Sequence, residues 1–463
     1  MSDELHPQLT PELLARYDRP GPRYTSYPTA PHFTETFDAD AYEARLAMAA
    51  KHPDDPLSMY VHIPFCQSRC TYCGCNAIIA PRRGPERAYL AAVGKEIGLV
   101  ADRLGQRRRV NQLHWGGGTP TFLTPTQCEE LLSAITSRFA LSDNAEIAIE
   151  IDPCVTSMEH LRTLRSLGFN RLSMGVQDID PGVQNAVNRV QPLELTREQV
   201  VEARRLGFES VNIDLIYGLP LQTEASFRKG VRTVIAELAP DRVACFSFAH
   251  VPWIKAHQRS LDPAQLPQGW AKLRMFAGAT EEFLAAGYRF VGFDHFARPE
   301  DELARALDNG RLHRNFMGYT VMPASDQIGI GVTSIGDLAG AYAANRRKLI
   351  HYQRLVDQGA LPIERGIVRS AEDELRGAVI RRIICTLRLD FDWVEERFGV
   401  DPRQHFAGAL SELAEMARDG LLELDNEGLR VLPLGRFFLR NLCMPFDAYL
   451  ATPADRPVYS RTV

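Results

Sequence analysis

Residues 57–250 repeat one unit, a short run alternating apolar and polar residues followed by a helical stretch. Six strands are expected, at 57–63, 110–115, 146–152, 171–176, 210–217 and 242–249. Helices are expected between them, near 85–104, 125–139, 157–167, 196–206 and 224–237. Strands separated by helices are parallel and joined by right-handed crossovers. Parallel strands are usually apolar on both faces. Each of these keeps a polar or small face: Tyr60 with His62, Gln112 with His114, Glu146 with Glu150 and Asp152, Ser173 with Gln177, Asn212 with Asp214, Ser247 with Ala249. Such faces suit a ligand cavity, so the pattern predicts an α/β barrel with its chemistry at the C-terminal ends of the strands.

The first strand, LSMYVHI, stops at Pro64, and Cys66, Cys70 and Cys73 follow in C-x3-C-x2-C spacing, with Cys75 two residues on. Thiols this close do not readily pair as disulfides and one would be left over, so the loop reads as a metal site. A structural zinc site normally takes four closed ligands, usually as two separated pairs. Thiolate is equally the standard ligand of iron–sulfur clusters. Three cysteines on a four-iron cluster leave one iron open to a small molecule. The second strand runs into Gly116-Gly117-Gly118-Thr119-Pro120, where glycines allow close backbone approach and present N–H groups to a ligand. Taken singly, Arg189 reads equally as a surface charge and Asp214 as a helix-capping acid.

C-x3-C-x2-C just past a first strand resembles the radical S-adenosylmethionine (SAM) superfamily. The segments HIPFC, CGCN, HWGGGTPT, NRLSMGVQD, NIDLIYGLP and DHFARP together are similar to the oxygen-independent coproporphyrinogen III oxidases, from RYTSYPT to NLCMPFDAYL. The resemblance implies a partial (β/α)6 radical-SAM barrel with an N-terminal extension and a small, mostly helical C-terminal domain. It implies a [4Fe–4S] cluster on Cys66, Cys70 and Cys73 and two SAM molecules. Tyr60, Gly117, Glu150 and Ile335 would touch the first. Tyr72, Gly118, Thr119, Gln177, Arg189, Asp214 and Ala249 would touch the second. Cys75, Tyr60 and His62 are the catalytic candidates, Cys75 as a redox or proton participant or else a buried thiol beside the cluster. The implied reaction converts two propionates of coproporphyrinogen III to vinyl groups, with a low-potential electron donor. Where the family has HRNFQGYT this chain has HRNFMGYT, which puts an amide role at Met317 in doubt. The substrate's carboxylates call for arginines, and Arg23, Arg298 and Arg314 stand in segments expected at the mouth.

Around this centre, residues 1–50 are expected as an extension or lid, 51–365 as the barrel with its covering segments, and 366–463 as a winged-helix-like domain. That last domain has helices at 370–388 and 403–418 and a hairpin centred on Asn426-Glu427-Gly428. The leader RPGPRYTSYPT at 19–29 reads either as a mobile segment or as a strap across a pocket mouth. The glycine-rich run around Gly329, Gly331 and Gly336 reads as a loop crossing back over the barrel. Cys128, Cys154, Cys245, Cys385 and Cys443 are expected as small buried residues. A net charge of −5 argues against general nucleic-acid binding. With no signal peptide, no apolar run long enough to span a membrane and four cysteines clustered, a cytoplasmic monomer is expected.

Overall fold

The computed structural model describes residues 8–322, 326–451 and 459–462. All six expected strands form: β1 (Leu57–Ile63), β2 (Arg109–Gly117), β3 (Ala140–Ile151), β4 (Arg171–Gln177), β5 (Ser210–Tyr217) and β6 (Arg242–Ser247). They pair in sequence order and all parallel. The intervening helices are Pro85–Leu104, Pro125–Thr136, Met158–Ser166, Leu193–Leu206 and Glu224–Thr233. Local sequence fixes their ends. Thr124 with Gln127, Ser157 with His160 and Thr223 with Ser226 make reciprocal caps at three of the N-termini. Gly207 in the left-handed region ends the helix before β5.

The sheet continues beyond six strands. Beside β1 lie β9 (Asp326–Ile330), β10 (Ile335–Leu338), β11 (Ala341–Asn345) and β12 (Ile363–Val368); beyond β6 lie β8 (His295–Ala297) and then β7 (Arg289–Gly292). Strand β9 is parallel to β1, and the other added strands are antiparallel, making twelve in all. The glycine-rich run is therefore sheet edge and not a loop over the mouth. Its glycines serve the close packing of β9 on β10: a Cβ on Gly329 would lie 2.7 Å from the Ile335 carbonyl carbon, and one on Gly336 3.0 Å from the Gln327 oxygen.

The polar strand faces meet inside the barrel. Gln112 Nε2 donates to Glu146 at 2.9 Å and to Thr320 at 3.1 Å, while Ser58 and Asn315 donate to its Oε1. Arg171 bridges Glu146 (3.5 Å) and Glu302 (2.6 Å), and Arg242 bridges Asp301 (2.8 Å) and Glu302 (2.7 Å). Each of these buried charges has an opposite charge beside it, the condition for tolerating them away from water. The network floors a cavity that opens at the strands' C-terminal ends.

The leader is a packed strap. Tyr24 and Tyr27 are buried, Tyr24 Oη donates to Asp447 at 3.0 Å, and Arg23 Nη2 donates to the Ser247 carbonyl at 2.8 Å. Toward the C-terminus, helices Ala371–Thr386 and Ala407–Arg418 pack with the expected hairpin, Leu422–Leu424 against Gly428–Val431, and Arg388–Asp390 adds a third strand. Residues 1–7 of the expected extension lie outside the described residues. No helix among the described residues is long and apolar enough to cross a membrane.

One buried acid clamps helix 85–104 to the sheet edge. Glu96 accepts from Tyr352 Oη (2.5 Å), the Gly331 N–H (2.7 Å) and Asn345 Nδ2 (2.6 Å). Burial pushes its carboxyl up to about 7, against the pull of these donors. An acid raised in the folded state stabilises most below its unfolded pKa and loses that contribution as pH climbs to the folded value. Chemical denaturation of wild type and Glu96→Gln should therefore diverge with pH, the wild type losing about 3 kcal/mol relative to the variant between pH 4.5 and 7.5. Glu96→Ala, which strands three donors, should cost about 3 kcal/mol or more at every pH.

Candidate active site

The cysteine loop has little regular structure of its own: Phe65–Cys66 makes a two-residue ladder with Ile78–Ile79. Residues from distant loops hold it by its backbone. His257 Nε2 lies 2.7 Å from the Cys73 carbonyl, Gln258 Nε2 donates to Tyr72 O at 3.0 Å, Lys255 Nζ to Cys75 O at 3.1 Å, and Asn188 Nδ2 to Arg69 O at 2.8 Å. None of these anchors was foreseen, because 251–260 carries no periodicity and single amide donors leave no sequence signal.

The thiols of Cys66, Cys70, Cys73 and Cys75 are unpaired and face a cavity of about 790 Å³. Each of the three expected ligands has a donor close to sulfur: Thr119 Oγ1 at 3.5 Å from Cys66, Arg189 Nη1 at 3.7 Å from Cys70, and the Cys75 N–H at 3.4 Å from Cys73. Such donors stabilise thiolate and tune a cluster's potential. Burial pushes the Cys66 thiol up to about 11, whereas hydrogen bonding from Cys75 draws Cys73 down. Among the described residues no three His, Cys, Asp or Glu side chains are grouped to hold a single ion. Three thiols spread along one wall of a roomy cavity fit a multi-iron body better than a closed zinc site. Cys75 is accessible on the cavity wall, a position that suits both a thiol beside the cluster and a participant in the reaction. Of the scattered cysteines, Cys128, Cys245, Cys385 and Cys443 are buried as expected, but Cys154 is exposed on the cavity wall.

The glycine run works differently from the expectation. The N–H groups of Gly117, Gly118 and Thr119 are taken by Glu150 Oε2 (3.1 Å), Ile63 O (2.8 Å) and Phe65 O (2.8 Å), so none is left free for a ligand. What the glycines admit is their neighbours. A Cβ on Gly116 would sit 2.8 Å from the Glu150 carboxylate, one on Gly117 2.6 Å from the His62 ring, and one on Gly118 2.6 Å from the Pro64 oxygen. Gly117 also has φ +120°, which L side chains rarely adopt.

Two carboxylates on the cavity wall are tuned apart. Burial works to raise Glu150, but hydrogen bonds from His114 (3.2 Å) and the Gly117 N–H hold its carboxyl below the ordinary range. Burial and then the Glu150 charge push Asp214 up to about 7, although Asn212 Nδ2 donates to it at 2.7 Å. Gln177 takes a left-handed turn at φ +68° at the end of β4, and its buried Oε1 has no partner. Arg189 donates to Asp152 (2.8 Å) and Gly175 O (2.6 Å), and its buried Nε has no partner either. Orphaned polar atoms at a cavity are places where a polar ligand satisfies the protein.

The cavity brings together the four clustered cysteines with Tyr72, Gly117, Gly118, Thr119, Glu150, Gln177, Arg189, Asp214 and Ala249. Tyr60, His62 and Ile335 are not among its lining residues. Tyr60 Oη and His62 Nδ1 lie 3.0 Å apart, and His62 Nε2 lies 3.2 Å from the Asn76 carbonyl, with burial holding the imidazole below its usual range. Ile335 sits on β10 and packs beside Phe33 and Tyr342. Arg23 and Met317 line the cavity, but Arg298 does not. Its guanidinium binds the Ala239 and Pro240 carbonyls, just ahead of the N-terminal end of β6 and away from the mouth, which removes it from the substrate-binding candidates.

Comparison with known proteins agrees with this geometry. Residues 60–234 match the radical SAM superfamily and residues 370–438 the HemN C-terminal domain. The chain is 43% identical to the oxygen-independent coproporphyrinogen III oxidase of Synechocystis sp. and 45% identical to that of Pseudomonas aeruginosa, in both cases over 98% of each chain. The solved structure of coproporphyrinogen III oxidase from Escherichia coli, described as a radical SAM enzyme, superposes with a TM-score of 0.88 at 44% identity. That match covers 92% of this chain and 97% of the other. With likeness sustained from end to end of both sequence and fold, the chain belongs to the oxygen-independent coproporphyrinogen III oxidase family of radical SAM enzymes.

Proposed function

We propose that this chain converts two propionate side chains of coproporphyrinogen III to vinyl groups, giving protoporphyrinogen IX without oxygen. The observation that carries the reading is one wide cavity in which three hydrogen-bonded thiols face a wall of polar and orphaned groups. Bound there, a [4Fe–4S] cluster and SAM supply a 5′-deoxyadenosyl radical able to take hydrogen from an unactivated carbon. The substrate, left with a radical at the β-carbon of a propionate, would lose CO2 and pass one electron to an external one-electron acceptor, giving a vinyl group. The protein's part is to position and to exclude water. Cys66, Cys70 and Cys73 would hold the cluster, and the Arg23 strap would roof the cavity. Cys75, exposed at the cavity, would act in the last electron or proton step, and Tyr60 with His62 would back the cluster loop from behind.

Two SAM molecules per chain are proposed. Glu150 and Gly117, with Tyr60 and Ile335 behind them, make the first site. Tyr72, Gly118, Thr119, Gln177, Arg189, Asp214 and Ala249 make the second, a reading supported by the orphaned atoms of Gln177 and Arg189. An extension at 1–50, a barrel unit at 51–365 and a C-terminal unit at 366–463 are assigned with it, as are a low-potential electron donor, a monomeric state and a cytoplasmic setting.

Anaerobic incubation with SAM, a reductant and coproporphyrinogen III should yield vinyl product together with 5′-deoxyadenosine; SAM cleavage with no vinyl product would refute the substrate. Alanine at Cys66, Cys70 or Cys73 should abolish bound iron and the brown absorbance. Cys75→Ser should keep the iron and lose turnover, and unaltered turnover would remove Cys75 from the chemistry. Equilibrium binding should count two SAM per chain. Because Glu150 stays ionised while Asp214 gains a proton near pH 7, the second SAM should bind more tightly as pH rises from 6 to 8 and the first should not change. In Asp214→Asn that dependence should vanish.

A further inference from the structure

Beside the main cavity lies a smaller annex of about 220 Å³. The two share Arg23, Phe246, Ser247, His295, Met317 and Gly318 as wall residues, and no cysteine lines the annex. Arg23, Arg314, Arg436 and Arg440 all stand on its walls. Among the described residues none of the four is within salt-bridge distance of a carboxylate. Asp294 is the one acid on the walls, and it is held by His295 at 2.8 Å.

The four guanidiniums differ in what they still have to offer. Arg440 donates to the carbonyls of Gly21, Pro22, Arg461 and Thr462 and so ties the strap to the tail. Arg23 donates to Ser247 O, and Arg314 to the Arg23 and Tyr24 carbonyls, with the buried Arg314 Nε left over. The Arg436 side chain makes no hydrogen bond among the described residues; its guanidinium lies 5.2 Å from the centre of the Phe290 ring. Close by, Lys272 Nζ donates to Phe248 O at 2.8 Å. Burial lowers the pKa of Arg436, Arg440 and Lys272, to about 10, 9 and 7, and neighbouring cations add to it. Carbonyls solvate these charges but do not neutralise them. Four guanidiniums around one carboxylate leave an excess of sequestered positive charge, which is costly, and an arriving carboxylate relieves it through charge-assisted, bidentate bonds.

We propose that the annex is an anion-binding subsite in which Arg436, with Arg23 and Arg314, grips a carboxylate arm of the substrate that does not react in that turnover. The inference rests on the substrate reading given above and extends it. Size limits the guest: a cavity below the range of roughly 300–1,000 Å³ that encloses a whole ligand admits a carboxyethyl arm and not a tetrapyrrole ring. Position limits it further. On the reading above the reacting propionate belongs near the cysteines, and the residues proposed for the second SAM line the main cavity and not the annex. The arm reaching away from them into the arginines is one that the product keeps.

The test uses the full chain with its cluster reconstituted anaerobically and coproporphyrinogen III as the probe. Arg436→Gln should raise KM at least about tenfold with kcat within about threefold, and Arg436→Lys should recover part of the loss. Arg314→Gln should raise KM in the same way and decides the matter if Arg436→Gln fails to fold. Arg430→Gln, at an exposed arginine paired with Glu423, serves as the control and should leave KM unchanged. An active wild type with KM within about twofold in both the Arg436 and Arg314 variants overturns the annex alone. A wild type that forms no vinyl product overturns the substrate reading and the annex with it.

Discussion

The structure depends on a loop that cannot hold itself. Between Cys66 and Cys75 the backbone makes almost no regular hydrogen bonds, yet three thiols on it have to keep a fixed spacing. Side chains from elsewhere in the barrel supply that rigidity: His257, Gln258 and Lys255 from the segment after β6, and Asn188 from the loop after β4. Each engages a main-chain carbonyl, so the loop's shape is set whatever its own side chains are bound to. An iron–sulfur site built this way is positioned by the whole barrel, since its clamps lie more than a hundred residues away in sequence.

The same economy appears where strands crowd together. Gly116, Gly117 and Gly118 give up side chains so that a carboxylate, an imidazole and a carbonyl can each occupy the vacated space. The outcome is a wall on which Glu150 stays ionised while Asp214, two strands away and facing the Glu150 charge, holds its proton to near neutrality. One cavity wall thus carries two acids that titrate differently, one below the ordinary carboxylate range and one near neutrality.

Much of the architecture was legible in the sequence. The six barrel strands and their helices follow from periodicity, because each strand had a sharp apolar face, and three of the helices also carry a cap such as Thr124 or Ser157. The polar faces pointed correctly to a cavity. The twelve-stranded width was not legible: β9 and β10 are short, rich in glycine and bounded by no helix, so they looked like a loop. Arg298 was misread for a related reason, since sequence reveals a cation's presence and not which end of a strand it serves. The clamps on the cysteine loop were invisible because a lone histidine or glutamine has no pattern. The arginine annex was only half visible, through Arg23 and Arg314, because Arg436 and Arg440 lie in a segment where no element was expected.

Arg440 joins three stretches that are remote along the chain: the strap at Gly21 and Pro22, its own short helix, and the tail at Arg461 and Thr462. During synthesis the strap and the barrel strands through Ser247 precede both the helix and the tail. The annex, whose walls include Leu439, Arg440 and Thr462, therefore takes shape after every residue that lines the main cavity has been made.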